Sequence, residues 1–203
     1  MIAESIHEPK CSLQIVLENN GVEKLVDMSR SPDPSLRLNS IWALKNLLYQ
    51  ADSVTKDLVM KKLTYSGLQR FFLFFFCFYL FSCCIFGTHP NPIFDFSLLN
   101  DPEPGIQEQA LNLLRNLACS KDAEAAVDIE NIFQGIGDQL IPILESKLES
   151  SQQDTIQQSI FVLVNLATGR ESHKERIISS ERLLARILHF MASVFSNQVL
   201  SSG

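Results

Sequence analysis

Apolar side chains return in register along this chain, at a spacing that suits a helix and not a strand. After the break at Pro32-Asp33-Pro34, Leu36, Ser40, Ile41, Leu44, Leu47 and Leu48 fall on one face of a helix running from Ser35 to about Tyr49. After Pro102-Glu103-Pro104 the same spacing gathers Ile106, Ala110, Leu113, Leu114 and Leu117. A third copy follows Ser150-Ser151-Gln152-Gln153-Asp154, lacks the prolines and keeps Ile156, Ile160, Leu163, Leu166 and Ala167. Aligned on Asn46, Asn116 and Asn165, each copy has a leucine next in the chain and a small residue six positions earlier: Ser40, Ala110 and Ser159. A small side chain at a fixed helical position is what close approach of a second helix requires, so the repeat is a packing unit.

Shorter helical stretches precede the long ones. Lys10 to Asn19 places Leu13, Val16 and Leu17 on one side and is closed by Asn20-Gly21, and Val22 to Arg30 carries Val22, Leu25, Val26 and Met28. A second unit opens on an N-cap at Asp52-Ser53, runs through Leu58, Val59 and Leu63 to a stop at Ser66-Gly67, and resumes at Leu68-Gln69-Arg70. A third has helices from Ala123 to Phe133, from Asp138 to Leu148 with Leu140, Ile141, Leu144 and Leu148 inward, and from Asp154 to Thr168-Gly169. Lys174 to Ile178, followed by Leu183, Leu184, Ile187, Leu188, Met191 and Val194, begins a fourth unit without its long helix. A short, a medium and a long helix, with a glycine after the first and a turn before the third, resemble an armadillo repeat, whose class has a period of roughly 40 to 47 residues. The resemblance implies an all-α, armadillo-type α-solenoid with repeats at 10–50, 52–119 and 121–168 and a partial repeat at 171–196. A repeat of this kind buries its apolar face only against neighbours, so the incomplete last unit is expected to present an uncovered surface, as in a fragment or short form.

The net charge of −6 is modest and mixed along the chain, which argues against a phosphate-tracking surface and against nucleic acid as a partner. No basic segment followed by an apolar one begins at Met1, so no cleaved secretion signal is expected, and the cytoplasm and nucleus are the expected compartments. Cys11, Cys77, Cys83, Cys84 and Cys119 are odd in number and lack the paired spacing of a zinc site; they read as reduced thiols. Gly135-Ile136-Gly137 has no preceding strand and no third glycine, and reads as a helix junction. Cys119 and His173 have no orienting carboxylate at recognisable spacing and read as core or loop residues. Asp33, Asp101 and Glu103 sit in turns and first helical turns, where carboxylates favour a helix N-terminus. With no nucleophile elbow, HExxH pair or P-loop, no catalytic, cofactor-binding or metal-ligating residue is assigned, and the chain reads as a non-enzyme.

The polar positions of interest lie on the long helices. Trp42 and Asn46 are four apart and face away from the Ile41, Leu44, Leu48 stripe, and the aligned pairs Asn112 with Asn116 and Phe161 with Asn165 are expected to do the same. In armadillo proteins the third helices line a concave groove, and a Trp-xxx-Asn arrangement there grips extended peptides in import receptors. By resemblance, Trp42, Asn46, Asn112, Asn116, Phe161 and Asn165 form a ladder for a partner's segment. Tryptophan stands on one rung alone, which fits an import receptor poorly, and the other reading is that these residues punctuate the helix surface. The wording Asn39-Ser40-Ile41-Trp42-Ala43-Leu44 after its proline-bounded turn is similar to the armadillo repeat-containing protein 8 family, and Leu111 to Leu117 is similar to that family's following repeat. That resemblance spans roughly residues 10 to 70 and 97 to 190. It implies a scaffold subunit of the CTLH/GID ubiquitin ligase, bridging RING subunits and substrate receptor, with other ligase subunits as partners.

The run FFLFFFCFYLFSCCIF, Phe71 to Phe86, fits none of the units. As a helix its 16 residues span about 24 Å, short of a hydrocarbon core of about 30 Å, and no Lys/Arg asymmetry flanks it, so it is not assigned to a membrane. A core helix apolar on every side needs protein on every side, which a single layer of helices does not supply. The repeat arithmetic favours an insertion: Asn46 to Asn116 is 70 residues, Asn116 to Asn165 is 49, and removing 71–96 returns the first spacing to 44. Phe, Leu, Cys, Ser, Tyr and Ile are what a thymine-rich stretch encodes; Arg70-Phe71 permits AG-G-TTT at one edge and Phe96-Ser97 permits TTC-AG at the other. The block therefore reads as an in-frame retained intron that adds exposed apolar surface and favours aggregation or degradation. Sequencing the gene and its transcripts is expected to find a spliced form in which Arg70 and Ser97 fuse into one codon; an exon without splice signals at these edges overturns this.

Overall fold

The lead-in to each long helix is built the same way. In the computed structural model, which describes Val16 and residues 19–69, 98–119 and 125–201, the Asp33 N–H donates to the Ser31 hydroxyl at 3.1 Å. The Glu103 N–H donates to Asp101 Oδ1 at 3.0 Å, and the Gln152 N–H to the Ser150 hydroxyl at 3.1 Å. A short polar side chain that accepts from two residues ahead turns the backbone out of one element and aims it into the next. The long helices then start at Pro34, Pro104 and Gln153, so turn and helix recur at the offsets that separate Asn46, Asn116 and Asn165.

The described elements are α1 (Gly21–Met28), α2 (Pro34–Leu47), α3 (Ser53–Leu63), α4 (Tyr65–Gln69), a 3-10 turn at Leu98–Asn100, α5 (Pro104–Ala118) and α6 (Ala125–Ile136). A second 3-10 turn at Gly137–Gln139 precedes α7 (Leu140–Leu148), α8 (Gln153–Leu166), α9 (Glu171–Ile178) and α10 (Glu181–Ser201). No strand occurs among the described residues. The chain divides into two compact units, Met1–Leu113 and Leu114–Gly203. The helix expected over Lys10 to Asn19 lies mostly outside the described residues, and the Phe71 to Phe86 run and Cys11, Cys77, Cys83 and Cys84 lie wholly outside them.

In the first unit α1 packs on α2 and α3. Asn20, at φ 53, is the N-cap of α1, and Gly21 is its first residue. A Cβ on Gly21 would come within 2.6 Å of the Val16 carbonyl oxygen, so the close approach there admits only glycine. Asp33 caps α2 by accepting the Ser35 N–H at 2.8 Å, with Pro34 just inside the helix where its missing N–H costs nothing. Ser40, Ile41, Leu44 and Leu48 are buried as the spacing predicts, but Leu36 is 43% exposed and Arg37 takes the inward place instead. In α3, capped by Asp52 through the Thr55 N–H at 2.8 Å, Leu58 is likewise outward and Lys56 inward. The helix stops at Leu63, ahead of the expected Ser66-Gly67, because Thr64 adopts φ 63 and its hydroxyl accepts the Gly67 N–H to start α4. Leu68 of α4 packs with Leu98 and Leu99 of the 3-10 turn, all three at most 2% exposed.

Arg37 is the largest fully buried side chain of the unit and meets an acid from the second lead-in turn. Its Nε and Nη2 donate to the two carboxylate oxygens of Asp101 at 2.8 and 3.0 Å, and Nη1 donates to the Ser31 and Pro32 carbonyls at 3.0 Å each. Asp101 is therefore a buried ion-pair partner and not the helix-dipole carboxylate that its turn position suggests. One step along the repeat, Gln107 aligns with Arg37 and its amide donates to the Asp101 carbonyl at 2.6 Å, the counterpart of Arg37 on Ser31.

In the second unit α7 packs on α8 and α10, and α9 on α8 and α10. The Gly135-Ile136-Gly137 stretch is a helix junction: α6 runs to Ile136, and Gly137 takes φ 68, a conformation open to glycine at no steric cost. The inward face of α7 is Leu140, Ile143, Leu144, Lys147 and Leu148, so Ile143 and Lys147 replace the expected Ile141. Burial pushes the Lys147 ammonium down from its ordinary range. On α8, Thr155, Ser159, Val162, Leu163 and Leu166 are buried, while Ile156 and Ile160 are half-buried and Ala167 is exposed. Ser159 donates to the Thr155 carbonyl at 2.8 Å, as its aligned Ser40 donates to the Leu36 carbonyl. On α10 Leu183 is buried, Leu184 and Ile187 are half-buried, and Leu188 and Met191 are exposed at 63% and 51%; the side chain of Val194 lies outside the described ones.

Removing one member of a buried, hydrogen-bonded ion pair strands the other charge. Arg37→Ala or Asp101→Ala is expected to lower the unfolding free energy by roughly 3–5 kcal/mol, and the double substitution to cost less than the sum of the two. A double-mutant cycle by urea denaturation checks this; single losses below about 1 kcal/mol would match an exposed pair instead.

Candidate functional site

The outward faces of the long helices are where sequence spacing places a partner surface. On α2, Trp42 is 54% exposed and Asn46 is exposed, with the Lys45 ammonium 5.7 Å from the centre of the indole ring. Both therefore look away from Ile41 and Leu44, as expected. Asn112 and Asn116 do not: they are 7% and 6% exposed. The α5 stripe is wider than the spacing suggested, with Leu111, Leu113, Leu114 and Leu117 all buried, so little of the helix is left to face water. Asn112 uses its amide on the Glu108 carbonyl one turn back, at 3.2 Å.

In the second unit Phe161 and Asn165 are brought together by a residue the sequence reading passed over. The Asn165 amide donates to the Arg115 carbonyl at 3.0 Å, one of the last four carbonyls of α5 and thus without a partner inside its own helix. The Arg115 guanidinium donates from Nη1 to Gln158 Oε1 at 2.9 Å and lies 5.7 Å from the centre of the Phe161 ring. Gln158, Phe161 and Asn165 stand at i, i+3 and i+7 of α8, so one helix face holds the arginine at both its main chain and its side chain. Phe161 is 40% exposed and Val164, on the next turn, 56%. A signal for Arg115 existed: it aligns with Lys45, a basic residue just before the repeated asparagine in two of the three copies.

A second polar cluster surrounds His173. Its Nδ1 accepts the Arg170 N–H at 3.0 Å at the start of α9, so Nε2 carries the proton and donates to Glu130 Oε2 at 2.9 Å. The ring stacks on Phe133 at 4.9 Å, and Arg176 lies 4.7 Å from the centre of the same phenylalanine on its way to Asp138. His173 thus has an orienting carboxylate that spacing did not reveal, yet both ring nitrogens are spent on structure: Nδ1 caps the start of α9 and Nε2 ties α9 to α6. The His173 hydrogen bond foremost, then that of Gln134 and the nearby Arg170 charge, hold the Glu130 carboxyl below its usual range. No helix among the described residues is long and apolar enough to cross a membrane.

A chain whose described elements are all helical, and whose long helices share one lead-in turn and one pattern of buried positions, is an armadillo-type α-solenoid, and the comparisons agree. The Armadillo/beta-catenin-like repeat family matches residues 11–49. A designed armadillo repeat protein solved with the peptide (KR)4 superposes over 87% of this chain and 65% of its own with a TM-score of 0.61 at 14% identity. An engineered protein, Northeast Structural Genomics target OR329, does so over 85% and 56% with a TM-score of 0.62 at 17% identity. In sequence the chain is similar to armadillo repeat-containing protein 8 of Mus musculus, 26% identical over 192 residues, which are 94% of this chain and 24% of that protein. It is also similar to GID complex subunit 5 of Schizosaccharomyces pombe, 27% identical over 175 residues, 86% of this chain and 18% of the relative. The chain thus spans about a quarter or less of the length of these relatives.

Because the folded-state carboxyl of Glu130 is more acidic than an unfolded one, its bonds to His173 and Gln134 stabilise the fold above the ordinary glutamate range, and that contribution is lost as pH falls through the depressed folded value. Glu130→Gln is expected to lower stability at neutral pH and to flatten the acid limb of a plot of unfolding midpoint against pH. An acid limb identical to that of the parent chain would show that the carboxylate contributes nothing.

Proposed function

We propose that the chain is a non-enzymatic, protein-binding scaffold segment of a GID/CTLH-type ubiquitin ligase, acting in ubiquitin-dependent protein degradation in the cytoplasm and nucleus. The observation that carries this reading is the sequence likeness to armadillo repeat-containing protein 8 and to GID complex subunit 5 over 86% to 94% of the chain. Helical repeats supply extended surface without a reactive centre, which suits a subunit that holds other proteins together. Since the chain corresponds to a quarter or less of those relatives, it would provide a few layers of such a scaffold and the contacts of those layers only.

A second reading, an armadillo peptide receptor of the nuclear-import type, is favoured by the exposed Trp42 and Asn46 on the outward face of α2. Against it stand the buried Asn112 and Asn116 and the phenylalanine in place of tryptophan at position 161. The (KR)4 peptide belongs to the designed armadillo protein, and a 14% identity carries its fold and not its ligand.

Affinity purification of the tagged chain from cells, with and without residues 71–96, followed by mass spectrometry, is expected to recover RING and CTLH-type subunits, more strongly from the shortened form. Recovery of transport factors without ligase subunits from both forms would favour the second reading, and recovery of neither would overturn both.

A further inference from the structure

We propose that Arg115, as α8 presents it, is a carboxylate receptor: it takes the aspartate or glutamate side chain of an acidic partner peptide whose apolar residues rest on Phe161 and Val164. The proposal rests on the protein-binding reading above and adds to it the chemistry of the bound segment.

The charge on Arg115 is held but not neutralised. Arg170, Arg176 and Arg182 of the same unit each pair with a carboxylate, Glu130, Asp138 and Glu149, and Arg186 lies in the field of Glu149. Arg115 alone among these is set against neutral groups, the Gln158 carbonyl oxygen and the Phe161 ring, and among the described residues no carboxylate lies within ion-pair distance of it. After Asp154, α8 carries no charged residue. Arg115 as a residue is half-buried, so its field is less screened than that of a fully solvated arginine. It has five N–H donors and Gln158 uses one of those on Nη1, which leaves a planar fork of the geometry that a carboxylate meets with two parallel hydrogen bonds.

Preorganisation is the second part. An exposed arginine ordinarily loses much rotamer freedom when it binds, but here the Asn165 amide fixes the main chain and Gln158 and Phe161 fix the side chain before any partner arrives. The 40% exposed ring and the 56% exposed Val164 one turn further supply apolar contact beside the cation, the combination of anchor and charge that a short peptide needs. A lysine-rich segment of the kind bound by the designed protein would bring its ammonium groups against this guanidinium, so the rung selects against it.

The test uses the full chain and three short fluorescein-labelled peptides that alternate leucine with glutamate, glutamine or lysine, read by fluorescence anisotropy. The glutamate peptide is expected to bind best, with binding that weakens as salt rises, and Arg115→Gln to weaken it by about tenfold or more. Arg182→Gln removes the same charge from elsewhere in the unit and is expected to leave the affinity within about twofold. Thermal melts followed by circular dichroism confirm that each variant is folded; should Arg115→Gln not fold, Phe161→Leu, which keeps the cation and removes its ring, is expected to weaken glutamate-peptide binding as well. Equal binding of the glutamine peptide, preference for the lysine peptide, or equal losses from Arg115→Gln and Arg182→Gln would overturn the receptor and leave the protein-binding reading standing. Binding of none of the three would overturn the receptor, while recovery of ligase subunits in the purification above would still support the scaffold.

Discussion

A long helix buries the right face only if it begins at the right residue, and here a single local hydrogen bond fixes where each long helix begins. Ser31, Asp101 and Ser150 each accept the N–H two residues ahead, and a long helix begins at the next residue after the acceptor's partner. The bond is local, so it forms without waiting for distant contacts, and it ends one helix while aiming the next. With the start fixed, the small residue at Ser40, Ala110 and Ser159 arrives at a constant height, and the leucines that follow it fall into the buried stripe. The apolar stripe supplies the free energy of each unit; the turn decides which residues are in the stripe.

The same turn explains why an arginine is buried in the first unit. The acceptor at the second lead-in is an aspartate rather than a serine, so a full charge is placed where the repeat needs only a hydroxyl. Burying that charge alone is costly, and Arg37 offsets the cost by offering two donors to the carboxylate and a third group to the carbonyls of the preceding turn. Gln107, the residue that aligns with Arg37 one repeat later, donates to the Asp101 main-chain carbonyl and is neutral. The pair is better understood as a device that fixes register between two lead-in turns than as a net source of stability, since apolar groups of the same shape would serve the free energy as well.

The chain pattern shows its repeats clearly and its polar interior hardly at all. Offsets measured on three asparagines place the starts of α2, α5 and α8 correctly because helix period and repeat period are both written in apolar residues, and Leu44, Leu114 and Leu163 are all buried. What misled was reliance on apolar spacing alone: it places Leu36 in the buried stripe, where Leu36 is exposed, and is silent on Arg37 and Lys56, which are buried. A long basic side chain can bury its stem and reach a polar group, and no spacing rule in one sequence reveals that the group exists, because Asp101 is distant in the chain and near in the fold. The break at Thr64 was missed for a related reason: glycine advertises a positive φ and threonine does not, though its hydroxyl accepts the Gly67 N–H and helps offset the strain.

The candidate surface shows how a repeated residue can be structural and still prepare a site. Each aligned asparagine was first read as a rung for a partner, yet Asn165 spends its amide on a terminal carbonyl of the preceding long helix, a bond worth about 1 kcal/mol in the fold. By satisfying that carbonyl it also immobilises the residue that carries it, and that residue is the arginine whose side chain meets Gln158 and Phe161. The asparagine that closes the backbone between α5 and α8 therefore leaves Arg115 as the half-buried cation presented beside an aromatic ring. In this chain Asn165 closes the main chain between two helices, and the chemistry it leaves available to a partner is that of Arg115.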